Sequence, residues 1–365
     1  MRVLYLCGRE RSYPRVNIIR KGLVYNGVEI VDGTIESRSL VRRSVALLWN
    51  FFCTSKKKYD LIYIGFFGQP FVPLIRKFTK RKVLFDAHLS AYNTAVDDKQ
   101  MFVPGSIGAK IMYYCDLSSC RSAHAILLDT EQHIQYFVEH YNIPRNKFHR
   151  IWVGADDEIF NPIDVTESTL RTKQPEDFIV LFHGAFIPLQ GVEYIVMCAK
   201  ELENNPSIKF FIIGSGQTFK KCVSLARSLS LQNITFAGQL KQIDIPKEIA
   251  RADIGLGIFG STDKTQLVIP NKVFELAAMR KPIITANTPA IREFFVHGED
   301  IYLCKHADPK SLAEAILFLR ENLTLRMSMA EKAYRKFKLQ CTPELIGRDV
   351  SKIAETLLRH GCEPG

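Results

Sequence analysis

The chain lacks the patterns that define several large protein classes. Its nine cysteines are scattered, with Cys115 and Cys120 the closest pair, and no CxxC or Cys/His ligand spacing occurs. That excludes a zinc ribbon and a disulfide framework and points to reduced, mostly buried thiols. No apolar run is long enough to cross a bilayer, since the longest helical one, Val45 to Cys53, falls well short of about 20 residues. The apolar opening Val3 to Cys7 is too short for a signal peptide, so the protein is expected to stay on the cytosolic side. No GxGxxG follows the first strand of either half, which disfavours an NAD or FAD dinucleotide. Nucleic-acid-binding motifs are missing, and no aspartate cluster demands a metal.

What is present is a long, ordinary globular composition with an uneven charge. The chain has 365 residues, 47% of them apolar, enough for two packed domains. Its net charge is +11, and residues 1–100 hold 18 Lys or Arg against 8 Asp or Glu, which leaves +1 for the rest. An anionic partner is therefore met by the N-terminal part.

Along the chain, strands and helices alternate in the manner of open α/β sheets. Val3 to Cys7 reads as a buried strand running into GRERSYPRVN, then a helix from about Val16 to Asn26 and a strand Val28 to Val31. Loops after the carboxyl ends of such strands line a ligand crevice, so Gly8, Arg9, Arg11 and Arg15 are candidates to face an anionic acceptor or phosphate. A solvated turn is the plain alternative for any one of them.

Arg38 to Lys58 is a basic amphipathic segment. Arg42 and Arg43 precede an apolar run with Trp49, Phe51 and Phe52, and Lys56, Lys57 and Lys58 close it. With RKFTKRK at Arg76 to Lys82, it has the pattern of an interfacial helix and patch on an anionic membrane surface. A core helix with charged flanks is the alternative. Further on, a strand Val83 to Phe85 leads into Asp86 and His88, an acid and an imidazole at a strand's carboxyl end and candidate catalytic or positioning groups. Both residue types also serve as hydrogen-bonded structural groups. Ala91 to Gly105 reads as a mobile loop, and helices at Ile107 to Ser119 and Glu131 to Tyr141 flank a strand at Ala125 to Leu128.

The polar, turn-rich stretch Asn161 to Asp177 marks an interdomain linker. The same rhythm then repeats from Phe178. Gly184, Gly191, Gly214, Gly216 and Gly238 sit just past strands, where a missing side chain lets a nucleotide approach. The stretch ADIGLGIFGSTDKTQLVIPNKVFELAAMRKPIITANT reads as strand, loop, helix, strand. Its apolar run ends at Phe259, a candidate donor-binding residue, and Asn271 is the expected N-cap of the helix. The first-turn amides of Asn271 to Val273, the helix dipole and a mobile ammonium on Lys272 would receive phosphate, and Glu275, one turn in, would accept from ribose hydroxyls. Dipole complementation by Glu275 and a solvated Lys272 form the alternative.

The order GSG, then AG, then ADIGLGIF, then PNKVFELAAMRKPIIT with PAIREF and HGED resembles the C-terminal half of the family 4 glycosyltransferases, retaining enzymes of the GT-B fold. GRERSYPRVN, FDAHLS and VGADDEIFNP look like the N-terminal half of that group. The resemblance implies two doubly wound Rossmann-like domains facing a cleft: acceptor-binding 1–165, donor-binding 166–340, and a C-terminal helix, 341–365, crossing back to the first. It implies a nucleotide-diphosphate sugar as substrate, no tightly bound cofactor and no essential metal; joined to the membrane-surface reading of the basic segment, it makes the acceptor a glycan or polyprenyl-linked molecule at the inner face of the membrane. Glu275 matches the second carboxylate of the family's ExxxxxxxE motif. Leu267 stands where the first belongs, with Asp263 and Gln266 nearby. In the GRxxxxKG pattern that many relatives use on the pyrophosphate, Ala185 and Gln190 replace the basic pair, and Lys272 is the proposed substitute. These departures keep open a non-catalytic nucleotide-sugar-binding relative, and the scaffold also suits a sugar-nucleotide epimerase.

Overall fold

The computed structural model describes residues 1–37, 39–54, 58–162 and 177–359. Lys56, Lys57, nearly all of the expected linker and the expected frayed end, Gly361 to Gly365, lie outside the described residues, as does the 165/166 boundary. By packing, the chain divides into one unit of residues 1–156 with 340–365 and a second of residues 157–339.

The first unit is a six-stranded, fully parallel sheet: β1 (Arg2–Cys7), β2 (Glu29–Asp32), β3 (Leu61–Gly65), β4 (Lys82–Asp86), β5 (Ala125–Leu128) and β6 (Phe148–Arg150), in the order β2-β1-β3-β4-β5-β6. Its inner strands β1, β3, β4 and β5 carry continuous apolar, buried runs because helices cover both faces, leaving no polar side for an alternating pattern to serve. Along β1 the side chains still alternate. Leu4 and Leu6 pack with Leu47 of α2 (Leu40–Thr54), Val72 of α3 (Phe71–Phe78), Leu117 of α4 (Ile107–Ser122) and Phe137 of α5 (Glu131–Tyr141). Val3 and Tyr5 face the other way, onto Val16 and Ile19 of α1 (Pro14–Tyr25) and Ile346 and Val350 of the terminal helix, Pro343–Arg359. The terminal helix thus belongs to the first unit. Asn26 donates to the Glu344 carbonyl at 2.8 Å, and a β-carbon on Gly22 would stand 2.0 Å from the Pro343 carbonyl oxygen.

The second unit is also a parallel sheet: β7 (Phe178–His183), β8 (Ile208–Ile213), β9 (Ile234–Gly238), β10 (Ile254–Leu256), β11 (Ile283–Ala286) and β12 (Tyr302–Cys304), ordered β12-β11-β10-β7-β8-β9. Helices α6 (Val192–Glu201), α7 (Phe219–Ser228), α8 (Ile245–Arg251), α9 (Asn271–Ala278), α10 (Pro289–Arg292), α11 (Pro309–Glu321) and α12 (Leu323–Gln340) complete it. Both units are doubly wound, as the sequence implies. Strand order reverses at β1/β3 in one and at β7/β10 in the other, and such points open the ligand crevices of these sheets.

One local expectation is overturned. Ala91 to Gly105 is not a mobile loop: Asn93–Asp98 is a π-helix with Asn93, Ala95, Val96 and Asp98 buried. The buried Asp116 carboxylate anchors its start, accepting from the Ala91 and Tyr92 amides at 3.0 Å each and from Ser90 at 2.7 Å. Helix α3 has no counterpart among the elements read from the sequence; Pro70 caps it and Pro73 stands in its first turn, where amides have no partner anyway.

Candidate functional site

At the β7/β10 reversal of the second unit, the two strand ends are stitched together through their loops. The Phe259 amide donates to the Gln190 carbonyl at 3.1 Å, and the Gly260 amide to that of Leu189 at 3.2 Å. His183 is the last residue of β7, and Gly184 follows it with φ +147°. Helix α9 runs in beneath, buried at every position from Lys272 to Ala278, with Phe274 against Phe294 and Phe295.

This geometry concentrates polar groups in one small volume. The Lys272 ammonium lies 3.4 Å from the centroid of the Phe182 ring and donates to the Gln190 side-chain oxygen. A β-carbon on Gly184 would stand 2.7 Å from that nitrogen, and φ +147° is itself a conformation that residues with a β-carbon rarely adopt. Burial holds the Lys272 pKa well below the ordinary lysine value, an effect that the nearby Glu275 carboxylate partly opposes. One turn on, Glu275 Oε2 pairs with His183 Nε2 at 2.8 Å. The His183 Nδ1 atom is buried without a hydrogen-bond partner.

Several sequence expectations change. Asn271 is not the N-cap; Pro270 is, and no side chain caps the helix. The Val273 amide is not open to phosphate, because it donates to the Pro270 carbonyl at 3.0 Å. Lys272 is not mobile, being 4% exposed and held by Phe182 and Gln190. Phe259 is a core residue at 1% exposure, so its ring cannot meet a nucleotide. Gly191, Gly214 and Gly216 give room to backbone rather than to ligand: β-carbons there would stand within 3 Å of Gly260, Gly184 and Phe186 main-chain atoms. Gly238 faces open space. Asp263 is exposed and Gln266 half-buried in the short helix Asp263–Gln266 before α9.

The first unit corrects more. Asp86 is sealed at 1% exposure in a bidentate pair with Arg15, Nη2 to Oδ1 at 2.9 Å and Nε to Oδ2 at 3.1 Å, and it also accepts from the Tyr63 hydroxyl at 2.9 Å. Arg15 is fully buried and spends its remaining donor on the Ile151 and Trp152 carbonyls. Neither is available to an acceptor, and both are structural. Arg11 lies on the surface, 3.6 Å from Asp32. Gly8 is required by the neighbouring loop, since a β-carbon would stand 2.1 Å from the Phe67 carbonyl oxygen. His88 stays at the end of β4 with φ +54°, its ring edge-on to Phe66 at 4.9 Å.

On α2, Arg43 is no membrane contact: it is 5% exposed, donates to the Gly8 carbonyl at 2.9 Å and pairs with Glu10 at 3.1 Å. Arg42 and Lys58 are exposed. Between them an apolar stripe faces solvent, with Val41 71%, Val45 62% and Trp49 68% exposed, continued by Phe52 and by Phe78 of α3. A second exposed stripe, not foreseen, runs along α4 through Ile107, Ile111 and Tyr114, with Met101 and Val103 before it. Among the described residues no helix is long and apolar enough to cross a membrane, and no group of three His, Cys, Asp or Glu is placed to hold a metal.

Sequence reasoning passed over His183 as a site residue. A histidine directly before the first strand-end glycine was the available signal. It named Gln190 only as a loss, yet that side chain receives the Lys272 proton donor.

Comparison with known proteins bears on the fold and on the second unit's family. Residues 167–336 match the family described as glycosyl transferases group 1. An uncharacterised glycosyltransferase of Methanocaldococcus jannaschii is 27% identical over 177 residues, covering 48% of this chain and 48% of its own. The chain thus spans about half the length of the curated relatives it matches. Among solved structures, a sucrose-phosphate synthase from Thermosynechococcus elongatus superposes with a TM-score of 0.78 at 13% identity, over 99% of this chain and 100% of its own. Anabaena HepE in complex with UDP-glucose gives 0.74 at 14% identity, over 98% and 100%. At such identities the two structures speak for the fold alone. Residues 167–336, just under half of the chain, thus match the glycosyl transferases group 1 family, and the chain has the two-domain Rossmann-like fold seen in the GT-B glycosyltransferases.

Proposed function

We propose that the protein is a retaining glycosyltransferase that moves a hexosyl group from a nucleotide-diphosphate sugar to a glycan or lipid-linked acceptor at the cytosolic face of a membrane, in polysaccharide biosynthesis. The observation that carries the donor reading is the placement of Lys272. Its ammonium touches Gln190, so the cation sits beside the position from which the usual loop lysine is missing. Departure of a nucleoside diphosphate leaves negative charge on the distal phosphate. A desolvated ammonium already fixed against Gly184 stabilises that charge without reorganising. Glu275, with one oxygen held by His183, keeps its other oxygen for the ribose hydroxyls. The reading requires neither a covalent glycosyl intermediate nor a metal.

UDP and UDP-glucose, the ligands of Anabaena HepE, are the first nucleotide and the first donor to try. A thermal-shift screen of the full chain against UDP, GDP, ADP and their sugars should give a stabilising ligand, because a ligand bound only by the folded state raises its stability. Transfer or slow hydrolysis from the matching sugar nucleotide then tests the activity. A folded protein that binds a nucleotide but turns over no donor would be a non-catalytic relative. Isomerised donor without acceptor would make it an epimerase.

The membrane part rests on the solvent-facing stripe Val41, Val45, Trp49 and the basic residues around it. Apolar side chains insert at the headgroup boundary, and each Lys or Arg adds roughly 1 kcal/mol near anionic lipid. Flotation with anionic vesicles should recover the protein at low salt and lose it as salt rises, with Trp49→Glu abolishing it. Recovery on neutral vesicles to the same extent would remove the membrane reading and leave the donor reading untouched.

A further inference from the structure

The first unit has its own strand-order reversal, at β1/β3, and the residues gathered there are neither the Arg15–Asp86 pair nor part of the donor site. The loop after β1 meets the loop after β3: the Gly8 amide donates to the Phe66 carbonyl at 3.0 Å. Above that junction the Arg9 guanidinium lies over the Tyr13 ring at 4.5 Å, with the rings of Phe67 at 5.6 Å and Phe66 at 6.0 Å. Phe66 and Phe67 stack on each other at 4.3 Å, and His88 closes the group edge-on to Phe66.

Three features distinguish this cluster from a decorated turn. The first is charge: Arg9 pairs with Glu10 at 2.9 Å, but Glu10 also serves the buried Arg43 at 3.1 Å, so two guanidinium groups share one carboxylate. The second is an unmet donor, since Arg9 Nε is buried with no hydrogen-bond partner among the described residues. The third is strain. Phe67 at φ +60° and His88 at φ +54° both adopt the left-handed conformation that residues with a β-carbon disfavour, at the ends of adjacent strands β3 and β4. Such conformations persist where the surrounding structure imposes them and gather at ligand sites. A guanidinium placed over an aromatic ring presents its donors at its edge, and those that Arg9 does not give to Glu10 suit carboxylate or phosphate oxygens. Half-buried Tyr13 and Phe67 offer apolar surface to the body of a sugar.

We infer that this cluster is the acceptor subsite and that Arg9 selects an acceptor carrying an anionic group, a carboxylate or a phosphate, on the sugar that meets the aromatic rings. The inference rests on the glycosyltransferase reading for the word acceptor, whereas the anion preference does not depend on it.

Saturation-transfer NMR on the full chain, in UDP, tests it with three probes: methyl β-D-glucuronide, glucose 6-phosphate and neutral methyl β-D-glucoside. One or both anionic probes should bind at least tenfold better than the neutral one. Which of them binds separates a uronic acid from a sugar phosphate. Arg9→Gln should erase the preference, Arg9→Lys should keep part of it, and Phe67→Ala should weaken all three, with the UDP-induced thermal shift unchanged throughout. Equal binding of the neutral probe, no binding of either anionic probe, or an Arg9→Gln protein that binds as wild type overturns the inference. Loss of the UDP shift in the wild-type protein would instead sink the donor reading, while the probe ratio still reports on Arg9.

Discussion

The Nε2 atom of His183 lies 2.8 Å from Oε2 of Glu275, joining the last residue of β7 to the second turn of α9, with the two side chains 5% and 8% exposed as residues. A carboxylate held in this way has one free oxygen and a fixed direction. His183→Ala should therefore weaken UDP binding by about tenfold, the cost of a lost hydrogen bond to a charged group. Affinity for 2′,3′-dideoxy-UDP should be unchanged, and His183→Asn should restore part of the UDP affinity. Titration calorimetry with both nucleotides decides it, and equal losses for the two would show that His183 acts elsewhere.

Lys272 gives a pH signature. Burial lowers its pKa well below the ordinary value near 10.4, so between the two values the unfolded chain holds a proton that the folded one has released. Unfolding then takes up a proton, and stability rises with pH across that alkaline window. Lys272→Met should remove this slope, raise the ligand-free stability by about 1 kcal/mol and abolish the stabilisation by UDP. Denaturant melts between pH 7 and 10 provide the measurement. Nucleotide binding by the wild type should weaken as pH rises, since the diphosphate needs the charged form.

Gly184→Ala should be costly although it adds one methyl group. The position has φ +147°, and the new carbon meets the Lys272 ammonium at 2.7 Å. Strain of about 1–3 kcal/mol is expected, with a fall in Tm of several degrees and loss of UDP binding. Differential scanning fluorimetry with and without UDP shows both effects together.

Asp86→Ala should cost stability and leave nucleotide affinity alone. It strands a fully buried guanidinium, a loss of about 3–5 kcal/mol. The double variant Asp86→Asn with Arg15→Met should recover much of that. Chemical denaturation reads the stability, and calorimetry on the folded protein reads UDP binding. A Kd that moved with Asp86 would reopen its role in donor recognition.

How far the sequence revealed the site depended on the kind of information each residue carried. Glycine positions, strand ends and the start of α9 follow from local turn chemistry and apolar spacing, so the crevice edge of each sheet was legible. Lys272 and Glu275 were named because helical spacing puts them one turn apart. Partners were not legible. Arg15 and Asp86 are 71 residues apart, and nothing local distinguishes a buried ion pair from two groups facing a ligand. Arg43 read as one of several membrane-facing cations, yet it reaches back 35 residues to the Gly8 carbonyl. Conversely, the solvent-facing stripe on α4 went unseen, because an amphipathic period shows which residues share a face but not whether that face is covered.

By itself the sequence determined the alternation of strands and helices, two parallel sheets and the glycine-rich turns at their carboxyl edges, since each is set by apolar period and turn chemistry within about 20 residues. Tertiary structure decided which charges are working groups. Burial and pairing are properties of chain segments brought together from far apart, and they turned Asp86 and Arg15 into a structural pair, closed the Lys272 ammonium against Phe182 and Gly184, joined His183 to Glu275, and left Arg9 among aromatic rings with a donor still unmet.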